Sequence, residues 1–156
     1  MRLIDERPDI SDRKIPGNWE GDLIIGQDGA SACATLVERT TRYLIIVALP
    51  LGRKADQVCD ALTRRIQGLP DQAMRTLTWD QGREMARHQR LTHDTGVEVF
   101  FAHPHSPWER GTNENTNRLI RRYLPKGTPI TSHQPYLDAI AYEPGNCPRA
   151  TLGYRT

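Results

Sequence analysis

The chain has 156 residues, 37% of them hydrophobic and 26% charged, with a formal net charge of +2 at pH 7. That is enough chain for one domain with a real core. No apolar run approaches the roughly 20 residues of a membrane span, and Met1-Arg-Leu-Ile-Asp-Glu-Arg7 does not read as a signal peptide, so the expected location is the cytoplasm. Cys33, Cys59 and Cys147 are widely spaced and form no Cys-x-x-Cys pair. They read as buried or incidental thiols rather than a zinc site.

Residues 1–17 are charged and marked by Pro8 and Pro16, which suits an arm or linker ahead of a core at 18–156. Residues 19–25 form a strand candidate closed by a turn at Gln27-Asp-Gly29, and residues 32–37 give a second. After the polar turn Glu38-Arg-Thr-Thr-Arg42, residues 43–49 are apolar enough for a central strand. Three strands on short turns predict an antiparallel meander.

The period then changes. Ala55, Val58, Cys59, Leu62 and Ile66 recur at helical spacing before Gly68 and Pro70. A short strand at 76–80, a helix at 84–95 and a strand at 97–101 follow. The next helix begins after Gly111, with Thr112 or Asn113 as its cap. On it, Glu114, Asn117, Arg118 and Arg121 share one face, while Leu119, Ile120, Tyr123 and Leu124 lie largely on the other. A last helix at 133–142 is cut off by Pro144. The element order predicts an α/β fold with a mixed five-stranded sheet.

Three acids stand out. Asp22 interrupts an apolar strand, where a carboxylate must find a partner or a cation. Asp80 ends the fourth strand, though Asp-x-Gly is also ordinary turn chemistry. Glu114 heads a basic stripe. Carboxylates drawn from two strands and a helix can converge on hard divalent cations, which prefer oxygen ligands. Two such ions about 3.5–4 Å apart serve in-line phosphoryl transfer. His103-x-His105 reads as loop rather than metal site. Arg110, Arg118, Arg121, Arg122 and Lys126 make a local basic face that suits phosphate, although a merely solvated face has the same pattern.

Positions 81 to 113 put 33 residues between Asp80 and Glu114, a spacing that resembles the D,D(33)E triad of insertion-sequence transposases and integrases. Trp19-Glu-Gly-Asp-Leu-Ile24, Thr35-Leu-Val-Glu-Arg-Thr-Thr-Arg42, Leu77-Thr-Trp-Asp-Gln-Gly82 and the run from Pro104 to Asn117 closely resemble the insertion-sequence-thirty family. Residues 123–128 and 148–153 continue the match.

The resemblance implies an RNase H-like catalytic core in which Asp22, Asp80 and Glu114 ligate two Mg²⁺ or Mn²⁺ ions. Water would cut at transposon ends, and the freed 3′-hydroxyl would attack target DNA. Arg121, seven residues after Glu114, matches a basic residue that the family carries two helical turns after its Glu, expected on DNA phosphate. Arg110, Asn117, Arg118, Arg122 and Lys126 complete the expected DNA-binding set. Transposon ends, target DNA, a homo-oligomer and a full-length transposase are the expected partners, with no membrane, and DNA binding would place the protein at the nucleoid.

The chain also departs from the family. It begins just before the catalytic core, so the family's N-terminal helix-turn-helix region is expected to be absent. Asn18 stands where His is usual, Glu109 where Gln is usual and Arg118 where Gly is usual. Glu143-Pro-Gly-Asn-Cys-Pro-Arg-Ala150 replaces a tail read as Glu-Leu-Asn-x-Arg-Pro-Arg-Lys. Two alternatives follow: an inactive, truncated DNA-binding remnant that regulates full-length transposase, and an RNase H-like nuclease acting on RNA or hybrids.

Overall fold

The computed structural model describes residues 16–79, 83–102 and 111–142, with side chains from 116 onward in the last segment. Five strands, β1 (Asn18–Ile25), β2 (Ala32–Glu38), β3 (Leu44–Ala48), β4 (Thr76–Trp79) and β5 (Glu98–Phe101), form one sheet in the order β3-β2-β1-β4-β5. The first three make the expected antiparallel meander, whereas β4 joins β1 and β5 joins β4 in parallel. Among the described residues four helices flank it: α1 (Ala55–Gln67), α2 (His88–Thr95), α3 (Gly111–Ile120) and α4 (Gln134–Tyr142).

Strand alternation sorts the side chains into two cores. Trp19, Leu36, Ile45, Val47, Leu77, Trp79, Val99 and Phe101 point to one face, with Val58, Leu62, Ile66 and Leu91 from α1 and α2. Ile24, Cys33, Val37, Leu44 and Ile46 point to the other, covered by Ile120, Leu124, Leu137 and Ile140. On that second face α4 lies over β3, and α3 crosses β2 and β1. Asn18, Glu20 and Asp22 alternate onto the same face of β1, beside Thr76 and Thr78 of β4. One half of this face is therefore apolar, and the half nearest β4 is polar.

Two close fits hold the strands at the required distance. A side chain on Gly21 would place its Cβ 2.1 Å from the Trp79 ring, so only glycine lets β1 carry that indole. Glu38, predicted in a polar turn, is buried and accepts from the amides of Gly17 (2.9 Å) and Thr41 (2.6 Å). It fastens the entry to β1 onto the β2–β3 turn.

Three boundaries differ from expectation. The predicted 84–95 helix is a 3₁₀ turn at Arg83–Met85 followed by α2. Glu84 Oε2 accepts from Trp79 Nε1 at 3.0 Å and Met85 is buried, pinning that stretch to the core. Helix α3 begins at Gly111, so Thr112 and Asn113 lie in its first turn rather than capping it. It closes at Ile120 with tightened turns, Arg122 N to Leu119 O at 3.2 Å and Tyr123 N to Ile120 O at 2.9 Å, ahead of Pro125, which cannot extend a helix. Tyr123, expected on the apolar face, is consequently 38% exposed.

Candidate active site at the end of β1

Asp22 sits half-buried late in β1, directly opposite Thr35 of β2. Its Oδ1 accepts from the Leu23 amide at 2.8 Å and its Oδ2 from Asn117 Nδ2 at 3.1 Å. The Asn117 Oδ1 in turn accepts from the Thr35 hydroxyl at 3.1 Å. A carboxylate facing an amide can only accept, so the Nδ2 of Asn117 must point at Asp22 and its Oδ1 at Thr35. Thr35 is fully buried. The relay Thr35–Asn117–Asp22 thus ties β2, α3 and β1 together at one point. A carboxylate has several acceptor lone pairs, the donor chemistry that suits a hard cation.

Glu114 lies three residues before Asn117 on α3, a spacing that puts two positions on one helix face; its side chain lies outside the described residues. Asp80 also lies outside them. It follows Trp79, the last residue of β4. Among the described residues no group of three His, Cys, Asp or Glu side chains is arranged to hold a metal ion.

The predicted DNA-binding residues divide. Arg118, Arg122 and Lys126 are exposed, whereas Arg110 lies outside the described residues. Asn117 is spent on Asp22 and Thr35. Arg121 is half-buried, and its guanidinium donates to the carbonyls of Leu124 and Ile25, both at 3.1 Å. It joins the C-terminal end of α3 to the end of β1.

Glu20 escaped the sequence reading. It is fully buried on the face that carries Asp22, two residues earlier, and pairs with Arg39 Nη1, whose side chain is 11% exposed. The signal was available in kind, since Glu20, like Asp22, is an acid in a strand that must answer for its charge. Thr35 gave a weaker signal, a lone hydroxyl in an otherwise apolar strand.

Comparison with known proteins decides the family. The model of the integrase core domain matches residues 12–107. The chain belongs to the integrase core domain family. That match includes Asp22 and Asp80 and stops short of Glu114.

Among curated relatives of this integrase core, the transposase for insertion sequence element IS1086 of Cupriavidus metallidurans is 49% identical over 150 residues, covering 96% of this chain and 44% of the relative. Transposase InsI for insertion sequence element IS30A of Escherichia coli is 49% identical over 148 residues, 94% of this chain and 38% of the relative. The chain spans less than half the length of these relatives. The resemblance to insertion-sequence transposases drawn from its motifs therefore holds over nearly the whole chain.

Solved structures agree on the fold. The catalytic core domain of BIV integrase superposes with a TM-score of 0.59 at 20% identity, covering 80% of each chain. A chain of the simian T-cell lymphotropic virus intasome, solved in complex with PP2A regulatory subunit B56 gamma, gives 0.61 at 16% identity, covering 81% of this chain and 47% of its own. The predicted RNase H-like, mixed five-stranded architecture is the observed one. No helix among the described residues is long and apolar enough to cross a membrane.

Proposed function

We propose that residues 18–156 are the catalytic core of an insertion-sequence DNA transposase, a polynucleotidyl transferase that cuts transposon ends and joins the freed 3′-hydroxyl to target DNA. The observation that carries this reading is the fixing of Asp22 by Asn117, one helical turn from Glu114 on α3. The parallel register pairs Trp19 with Leu77 and Glu20 with Thr78, so the strand that carries Asp22 lies beside the strand that Asp80 follows in sequence. That neighbourhood is what supports the expected triad of Asp22, Asp80 and Glu114.

Those three carboxylates are the residues that would hold two Mg²⁺ or Mn²⁺ ions. Bound there, such ions would supply activation of the attacking oxygen and charge stabilisation of the leaving one. The chain's own residues do the positioning. Asn117 and Thr35 set the Asp22 carboxylate, and Arg121 fixes the end of α3 against β1. Arg118, Arg122 and Lys126, with Arg110 just ahead of α3 in sequence, offer cations to DNA phosphates without reading sequence. Transposon ends, target DNA and further copies of a transposase are the partners this reading supplies, and the nucleoid is where it would act.

The test is a strand-transfer assay on a labelled transposon-end duplex, run on wild type, Asp22→Asn, Asp80→Asn and Glu114→Gln with circular dichroism on each. Activity lost in all three while the fold persists supports the reading. An active Asp80→Asn, or unfolding of all three, overturns the assignment of the acids. Metal-independent DNA binding without cutting in wild type would favour a regulator, and cleavage of a hybrid but not of DNA a nuclease.

A further inference from the structure

A second feature lies at the same end of the sheet. A groove of about 720 Å³ runs between the β1–β2 turn, the start of α1 and the 3₁₀ turn after β4, with Gly29, Arg53, Lys54, Gln57, Arg83 and Glu84 among its lining residues. Arg53, Lys54 and Arg83 are exposed, and among the described residues none of them is in an ion pair. The lining acid, Glu84, is drawn toward the core by the Trp79 indole at 3.0 Å. Further along α1, Asp56 pairs with Arg87 and Asp60 with Arg90, and Arg64 and Arg65 lie in the last turn, away from the groove. Three cations against one acid give the groove lining a local positive surplus. The N-terminal end of α1 adds to it, since Lys54 makes no side-chain cap and the first-turn amides point outward.

The groove is tied to the candidate active site from two sides. Gly29 O, in the turn that follows β1, accepts from Arg53 Nε at 3.1 Å, while Gln27 N of the same turn donates to Thr128 O at 3.0 Å. One short turn therefore stands between the segment carrying Lys126 and the groove carrying Arg53, with exposed Asp28 as its acid. On the other side Arg83 follows Asp80 by three residues, a Cα separation of at most about 11 Å. With phosphates advancing about 3.4 Å along the axis per nucleotide, that reach is about three nucleotides.

We propose that this groove takes the sugar–phosphate backbone of duplex DNA, a few nucleotides from the bond being cut or joined. The proposal rests on the transposase reading for its substrate but not on the acids for its chemistry. The groove grips phosphates only, so it adds affinity and fixes the duplex in line with Asp22 without selecting sequence. Bulk charge of +2 gave no hint of it, because the cations come from separate parts of the chain and meet only in the fold.

The test measures binding of the full chain to a random-sequence duplex, without metal, across a salt series. Among the described residues Lys54→Gln/Arg83→Gln removes two groove charges and no side-chain hydrogen bond. Arg64→Gln/Arg65→Gln removes two charges ten residues further along α1 as a matched control. Each phosphate contact contributes about 0.9 to the slope of log K against log salt. The groove variant is expected to flatten that slope by about 1.8, while the control leaves it near wild type. An unchanged slope, an equal loss in both variants, or a loss confined to single strands or RNA overturns the proposal. Melting curves identify any misfolded variant, and the single Arg83→Gln, expected to remove about 0.9 alone, then replaces the double. Wild type that binds duplex through the groove but cuts nothing, with or without its acids, would sink the catalytic reading and leave this one standing.

Discussion

Asn117 Nδ2 lies 3.1 Å from Asp22 Oδ2, joining the helix that carries Glu114 to the strand that carries Asp22. Sequence placed Asn117 on the acid's face of the helix and assigned it to DNA. The structure turns it inward, where it holds a carboxylate and is itself held by Thr35. On the proposed reading its work is orientation rather than contact with DNA.

Asn117→Leu should therefore act on turnover. Residues that orient metal-ligand side chains typically matter by about 10–100-fold in activity or metal affinity. The expected result is a loss of that size in strand transfer, with DNA affinity nearly unchanged, and Thr35→Val should show a smaller loss in the same direction. The stability cost should be about 1–3 kcal/mol, as Asp22 and Thr35 each lose a partner. A variant that weakened DNA binding and left turnover alone would return Asn117 to the DNA-contacting set.

Gly21 offers a test of the packing beneath the site. Its missing Cβ would stand 2.1 Å from one ring carbon of Trp79 and 2.3 Å from another. Trp79 is fully buried and its indole is held by Glu84, so the ring has little room to retreat. Gly21→Ala should destabilise by about 1–3 kcal/mol or more by overpacking. Trp79→Leu in the same chain should recover part of the loss, and urea melts of the single and double variants would show it. Additive losses would mean that the ring is not the obstacle.

The parts of this fold that were legible in sequence are those set by local pattern. Alternation marked the strands, the 3.6-residue period marked α1, and Gly96 marked the end of α2, where it adopts φ 79°. What local pattern does not carry is which side chains meet across the sheet. Glu38 looked like turn polarity and is a buried anchor. Arg121 looked like a phosphate ligand and spends two donors on Ile25 and Leu124. Residues 84–87 looked helical until the Trp79–Glu84 bond pinned them. In the site, Asp22 was legible because an acid beside an apolar run in a strand is costly, whereas its partners belong to elements 13 and 95 residues away. Asp80 and the Glu114 side chain stand outside the described residues and stay with the sequence reading.

The buried pair of Glu20 and Arg39 should be costly to halve and cheap to remove. Glu20 is wholly inaccessible and the Arg39 side chain nearly so. Glu20→Ala would leave a guanidinium in the interior without that carboxylate, and losses of about 3–5 kcal/mol are typical of such a break. Replacing both, Glu20→Met with Arg39→Met, should recover much of that stability, as apolar pairs of similar volume often do. Thermal melts of wild type and the two variants decide it. If the double variant is no better than Glu20→Ala, the remaining contacts of Arg39 matter more than the ion pair.

Cys33 makes a prediction about pH. It faces the α3–α4 side of the sheet with no exposed surface, and burial pushes its thiol from 9.0 up to about 12, against a smaller opposing pull from the Arg121 guanidinium. Between pH 9 and 12 the unfolded chain releases this proton while the native chain keeps it. The unfolded state then binds fewer protons, so the group lowers stability progressively as pH rises through that window and has no effect below it. Other groups titrate there too, and the comparison with Cys33→Ala isolates this one. That variant should melt lower than wild type at pH 7, since a buried group is lost, with the gap narrowing or reversing by pH 11. At pH 8 the native thiolate fraction is about one part in 10⁴, so Cys33 should be labelled by iodoacetamide no faster than the chain opens. Rapid labelling without unfolding, or a gap that stays constant with pH, would show that Cys33 is not sealed in the core and that α3 does not sit over β2 as described.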